Sequence, residues 1–278
     1  MIRDITLGQY FPGDSPIHGI DARIKIIMTL LLIVAVFIAS SGAALLLLLA
    51  VSFIIFVLSG ISFKTIVKGL KPIIFILIFT TVFQILFTRS GTELFSFWII
   101  KIYSNGVFSA VKMFMRILVL ITSTSVLLSY TTSPIVLTDG IEGLMRPLAK
   151  IGVPVHDFAL IMSIALRFIP TLLEETEKIM SAQKARGTDF STGSLMRRAR
   201  ALLAVFVPLL ASAVRHAFEL ADAMICRGYR GGKGRTKLNR MKIKASDIIW
   251  LLMTGVILAQ VIMLNPLTLD VMRGMIGI

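Results

Sequence analysis

The sequence predicts an all-α, polytopic membrane protein with about five transmembrane helices and three further helices inserted before the last of them. Three observations carry this expectation. Of 278 residues, 56% are apolar in type and the mean hydropathy is +0.89, more apolar surface than a soluble domain can cover. Apolar runs approaching the ~20 residues that cross a bilayer recur along the chain. Charge, by contrast, gathers in one region: residues 131–247 hold 18 of the 29 Lys and Arg and 10 of the 15 acids. The expected organisation is a membrane region of about four spans over 1–130, a cytoplasmic or interfacial helical region over 131–247, and a final span with its tail over 248–278.

The N-terminal stretch carries Arg3, Asp4, Asp14, Asp21 and Arg23 where a secretory signal would have an apolar core, so no cleaved leader is expected. Residues 24–39 and 42–58 are apolar runs joined by Ser40-Ser41 and read as a tight helical hairpin. Lys64, Lys68 and Lys71 follow, then Pro72 and the apolar run 73–87. Because Lys and Arg are retained on the cytoplasmic side, this link and the N-terminus, with Arg23 and Lys25, are placed inside. Residues 88–106, with Arg89, Glu93, Trp98, Lys101 and Tyr103, form an external or interfacial segment, and 107–130 returns as the fourth span. Lys112 and Arg116 sit at the outer end of that span; they snorkel, face other helices, or mark a later start.

After Thr131 the pattern changes. Ser133-Pro134 opens a helix by cap and first-turn chemistry. Residues 135–150 mix apolar and charged positions up to the breaker Gly152-Val153-Pro154. Two longer units then repeat one plan: 155–187 and 195–228 each run from an apolar stretch through a proline (Pro170, Pro208) to a polar helix ending in Arg-Gly. The ends align as Ala182-x-x-Ala185-Arg186-Gly187 and Ala223-x-x-Cys226-Arg227-Gly228. A basic tail over 230–244 leads to the last span, 248–264, which puts the C-terminus outside.

A glycine after a helix allows the left-handed residue that stops it, and an Arg in the last turn suits the partial negative charge there. Capping alone accounts for one such end. It does not account for the same small-x-x-small-Arg-Gly end on two successive proline-containing helices. Small neighbours leave each Arg clear, as a fork-shaped donor suited to an acidic groove on a partner. Two tips imply two grooves.

Arg167, just before Pro170, is costly in an apolar segment unless it is paired or reaches headgroups; Glu174, Glu175 and Glu177 are its nearest candidate partners. Met162, Met180, Met196 and Met224 are either adaptable contact surface or core filler. His18, His156 and His216 stand apart in sequence, and the single cysteine, Cys226, excludes an intrachain disulfide or a Cys-based metal site. The glycine-rich tail lacks the phosphate-loop pattern, since Gly234 follows Lys233 and Arg227 stands where the first Gly belongs. No enzymatic activity, cofactor or metal is therefore expected. The basic excess is explained by cytoplasmic retention and anionic lipid headgroups, with no nucleic-acid partner. Two rival readings are weaker. An enzyme acting on lipid headgroups has only the scattered Asp139, Glu142, Asp157 and Asp189, and a stand-alone secondary carrier has only Gln84 at mid-membrane.

The segments Asp21-Ala-Arg-Ile-Lys-Ile, Leu166-Arg-Phe-Ile-Pro170, Ala182-Gln-Lys-Ala-Arg-Gly187 and Ala223-Met-Ile-Cys-Arg-Gly-Tyr229 resemble the transmembrane T component of energy-coupling-factor (ECF) transporters. The resemblance covers essentially the whole chain. It implies a scaffold in a prokaryotic cell membrane that joins two ATP-binding-cassette ATPases, identical or different, to a small substrate-binding S component importing vitamins or transition-metal ions. It also implies that the three inserted helices are coupling helices and that Arg186 and Arg227, flanked by Ala185, Gly187, Cys226 and Gly228, dock in one ATPase each. Arg167, Pro170 and Pro208 would serve the coupling. Cys226 departs from the commoner alanine, but it is small enough to keep close packing.

Overall fold

Long apolar runs with few breakers leave the backbone one economical way to satisfy its polar groups, the helix, and helices dominate the chain. The computed structural model describes residues 10–97, 100–190, 194–231 and 243–265. Helix α1 (Ala22–Ile38) starts where the Asp21 side chain accepts from the Arg23 N–H, and α2 (Gly42–Ser59) starts where Ser41 accepts from Ala43. Gly60, at φ 68°, ends α2 in the left-handed conformation. Helix α3 (Phe63–Phe87) absorbs both the Lys64/Lys68/Lys71 link and the apolar run after it, passing through Pro72. The segment expected outside the membrane is an antiparallel hairpin of β1 (Glu93–Phe97) and β2 (Ile100–Tyr103), with the Tyr103 hydroxyl donating to Glu93 at 3.1 Å. Trp98 lies outside the described residues. Helix α4 (Ser104–Thr124) continues into a π-helical turn over Ser125–Tyr130. Next come α5 (Pro134–Met145), a 3₁₀ stretch over Arg146–Ile151, the long helices α6 (Val155–Ala185) and α7 (Leu195–Cys226), and α8 (Ala245–Met263).

Among the described residues six helices, rather than the five expected, are long and apolar enough to cross a membrane: α2, α3, α4 with its π-helical end, α6, α7 and α8. The difference has a physical origin. Residues 155–185 and 195–226 run unbroken through their prolines, so each apolar half joins its polar half in one membrane-length helix. Helix α1, at 17 residues, falls just short of the length of the others.

The chain divides into two compact units, one of Gly8–Ile141 with Met241–Ile278, the other built on Glu142–Arg240. The core of the first is apolar and continuous: Ile24, Met28, Leu32 and Val36 of α1 meet Leu45 and Leu48 of α2, Val119 of α4, Val126 and Leu127 of the π-turn, and Val261 of α8. Lys112 and Arg116 face a neighbouring helix. Lys112 Nζ donates to the Ser40 carbonyl at 3.0 Å and Arg116 to the Ala39 carbonyl at 2.6 Å. The Asn265 side chain donates to the Ile38 carbonyl at 3.0 Å. Three carbonyls at and just beyond the end of α1 thus gain donors, two of them cationic, each cationic bond being worth about 1.5–3 kcal/mol.

Candidate functional site

Helices α6 and α7 pack as a pair, but little apolar surface is buried in doing so. In α6 only Val155 and Ala159 are buried, and in α7 the buried positions are Ala201, Val205 and Ser212. Phe158, Ile161, Leu202, Leu203, Phe206 and Val207 remain exposed. Polar ties do much of the joining. Ser212 donates a short hydrogen bond to Glu175, whose second oxygen lies 3.6 Å from His216 Nε2, and the His216 ring leans on Phe168 at 6.2 Å. Nearer the Arg186 end of α6, the Gln183 side-chain amide reaches the Ala204 carbonyl of α7 at 3.4 Å. That carbonyl is four residues before Pro208, which has no N–H to offer it. One helix therefore supplies the donor that proline removes from the other.

Both helices close in the same way. At the end of α6, Gly187 N–H bonds to the Lys184 carbonyl at 2.9 Å and Thr188 N–H to the Gln183 carbonyl at 3.0 Å. At the end of α7, Gly228 bonds to Ile225 at 2.9 Å and Tyr229 to Met224 at 3.0 Å. These are two complete Schellman caps, with Gly187 at φ 87° and Gly228 at φ 72°. In each, the residue held at the cap is the arginine, with φ,ψ of −82°, 6° for Arg186 and −84°, 9° for Arg227. Ala185, Arg186 and Gly187, like Cys226, Arg227 and Gly228, are exposed. Neither guanidinium has a hydrogen-bond or ion-pair partner among the described residues. The glycine supplies the turn, the carbonyls spend themselves on that turn, and the arginine side chain is left free. A cap that only closed a helix would need the glycine and not the arginine.

The two arms are not copies. Sixteen residues separate Pro170 from Arg186 and nineteen separate Pro208 from Arg227, a difference of about 4.5 Å along a helix. Arg167 is exposed and makes no ion pair with Glu174, Glu175 or Glu177 among the described residues; Glu175 turns to α7 instead. Of the histidines that stand apart in sequence, His156 contacts Glu142 at 3.4 Å and His18 contacts Ser15 at 2.6 Å and the Phe11 carbonyl at 2.9 Å. His216 lies between Glu175 at 3.6 Å and Glu219 at 3.4 Å, and among the described residues no group of three His, Cys, Asp or Glu side chains is arranged to hold a metal ion. Residues 232–242 of the basic tail lie outside the described residues. Sequence reasoning missed the Glu175–Ser212–His216 tie and the Gln183 link. Pro208 carried a signal for the second, because an interior proline always frees the carbonyl four residues back.

The fold and the site define the class of multi-pass helical membrane proteins, here with two matched Arg-Gly ends on a pair of helices that run through proline. The match to known proteins narrows the class. The family model described as CbiQ, cobalt transport protein, fits residues 13–238. The energy-coupling factor transporter transmembrane protein EcfT of Ruminiclostridium cellulolyticum is 46% identical over 265 residues, covering 95% of this chain and 98% of that protein. EcfT of Clostridium kluyveri is 46% identical over 250 residues, covering 90% and 92%, and EcfT of Thermosediminibacter oceani is 42% identical over 262 residues, covering 94% and 98%. The chain belongs to this CbiQ/EcfT family and is a transmembrane component of ECF transporters.

Proposed function

We propose that the chain is the scaffold and coupling subunit of an ATP-driven importer, joining two ATP-binding-cassette ATPases to a membrane-embedded S component that binds a vitamin or a transition-metal ion. The observation that carries this reading is the pair of identical caps that each leave an exposed, unpartnered arginine at the end of a helix of membrane length. A planar guanidinium on such a tip fits an acidic groove by bidentate hydrogen bonds. Arg186 docks in one ATPase and Arg227 in the other, with Ala185, Gly187, Cys226 and Gly228 keeping the approach narrow.

ATP binding closes the ATPase pair, the two tips move with its halves, and α6 and α7 carry the motion to the S component. ATP hydrolysis belongs to the partners, and no chemical step falls to this chain. The exposed apolar residues Phe158, Ile161, Leu202 and Phe206 supply the surface that lipid or the S component covers. In this reading residues 131–247 form the coupling region on the cytoplasmic side together with the N-terminus, and the C-terminus is external. Helices α6 and α7, although long enough to cross, stay on that side, because they pair antiparallel and crossing would carry Arg186 and Arg227 to opposite faces. With 18 Lys and Arg against 10 acids, residues 131–247 carry +8 of the net charge of +14 where anionic headgroups line the cytoplasmic leaflet. The unequal arm lengths suit two different ATPases, each tip preferring one.

Purification of the chain with its partners in mild detergent tests the proposal. ATPase subunits are expected to co-elute with the unaltered chain and to be lost from a double Arg186→Glu, Arg227→Glu variant. Retention in that variant, or no ATPase with the unaltered chain, contradicts it.

A further inference from the structure

Lys25 reads in the sequence as a topology charge, yet it is 1% exposed. A cation removed from solvent costs several kcal/mol unless its protons are all taken. Here they are. Nζ donates to the Thr131 carbonyl at 2.9 Å, to Thr132 Oγ1 at 3.2 Å and to Thr131 Oγ1 at 3.3 Å, and it lies 3.5 Å from the His18 carbonyl. The acceptors are prepared for it. Both threonine hydroxyls give their own protons to the Leu127 carbonyl in the π-turn, at 2.9 and 3.1 Å, so only lone pairs face the lysine. Two residues on, the chain enters α5.

Two more features meet the same end of α1. A Cβ on Gly140 of α5 would stand 3.0 Å from the Ala22 Cβ and 3.3 Å from Ile26, so α5 lies directly on the first turns of α1. On the returning chain α8 runs beside α1, tied at its far end by Asn265 to the Ile38 carbonyl, and Asp247 at its start is 1% exposed and accepts from the Lys244 N–H at 2.8 Å. Lys25 therefore holds the chain where it leaves for residues 142–240, on the helix against which the returning chain packs.

We infer that Lys25 is a positioning residue for coupling: it fixes the outgoing connection of the coupling region to α1, so that a pull on that region is delivered to the membrane core. The inference rests on the coupling role proposed above. Without the anchor, the tips would still dock, but their motion would be taken up by slack in 131–133.

Hydrogen exchange on the purified complex with its ATPases, with and without a non-hydrolysable ATP analogue, tests this. In the unaltered complex the analogue is expected to change exchange both in residues 155–226 and in residues 22–29. In Lys25→Met, and in a Thr131→Val, Thr132→Val double variant, the change in 155–226 should persist while that in 22–29 is lost. A merely structural lysine would raise exchange in 22–29 equally in both nucleotide states and leave the difference intact, which overturns the inference. Loss of ATPase binding by both variants also overturns it, because Lys25 would then serve assembly. An unaltered chain that holds no ATPase sinks the docking proposal itself, and this outcome is read without any variant.

Discussion

At the scale of single residues, the informative positions are those where the backbone has a need and the side chain does something else. Gly187 and Gly228 meet the need, since each lies in the left-handed region with no atom near enough to obstruct a methyl group. A Gly187→Ala change therefore costs conformational energy alone, about 1–2 kcal/mol. The expected result is amide exchange at Thr188 faster by about fivefold to thirtyfold, with the fold otherwise unchanged. Unchanged exchange there would mean that the cap is not what holds the arginine in place. The Arg-Gly ends were legible in the sequence because helix capping is local chemistry, written within six residues. The roles of Lys25, Lys112 and Arg116 were not legible, because their acceptors are 106, 72 and 77 positions away. Read locally, each is only a charge beside a membrane span. The pairing of Arg167 with the glutamates of its own helix was a local guess that long-range contact overrode, since Ser212 and His216 draw Glu175 to α7.

At the scale of elements, α6 and α7 depend on few contacts between them, and those contacts are polar. Such a pair can shift its helices past one another at small cost, since breaking a hydrogen bond is discrete and little apolar area resists. The Glu175–Ser212 bond is one of these polar ties. A double-mutant cycle of Glu175→Gln and Ser212→Ala, read by hydrogen exchange in the middle of α7, should show a coupling of about 0.5–1.5 kcal/mol. Additivity within about 0.3 kcal/mol would show that the two side chains do not hold the helices together. Element boundaries were recovered to within a few residues where a cap or breaker is explicit, as at Ser41 and Gly60. They were recovered as well for the units 155–187 and 195–228, which are α6 and α7 to within two residues, and missed at Pro72, where α3 starts ten residues before the apolar run. Proline forbids one hydrogen bond but not the continuation of a long helix, and an apolar-to-polar switch in sequence says nothing about whether the backbone stops there. The β-hairpin was hidden because its nine or so residues lack the alternation and turn residues that mark strands.

At the scale of the whole molecule, the proposed function makes this chain a mechanical part, with its chemistry on its partners. The overall class was the easiest feature to read, since composition alone demands a membrane. Partners are the hardest, because a docking tip shows only its own half of an interface. The chain nevertheless carries a natural reporter. Cys226 is its one cysteine, exposed and adjacent to Arg227. A thiol in that position lies inside the interface if Arg227 enters a groove. The most direct measurement is the rate at which a membrane-impermeant maleimide labels Cys226 in the free chain, in the complex with its ATPases, and in a complex carrying Arg227→Glu. Rapid labelling of the free chain, protection in the complex and restored labelling in the variant are predicted. Equal labelling of Cys226 in the free chain and in the assembled complex would contradict the docking of this tip.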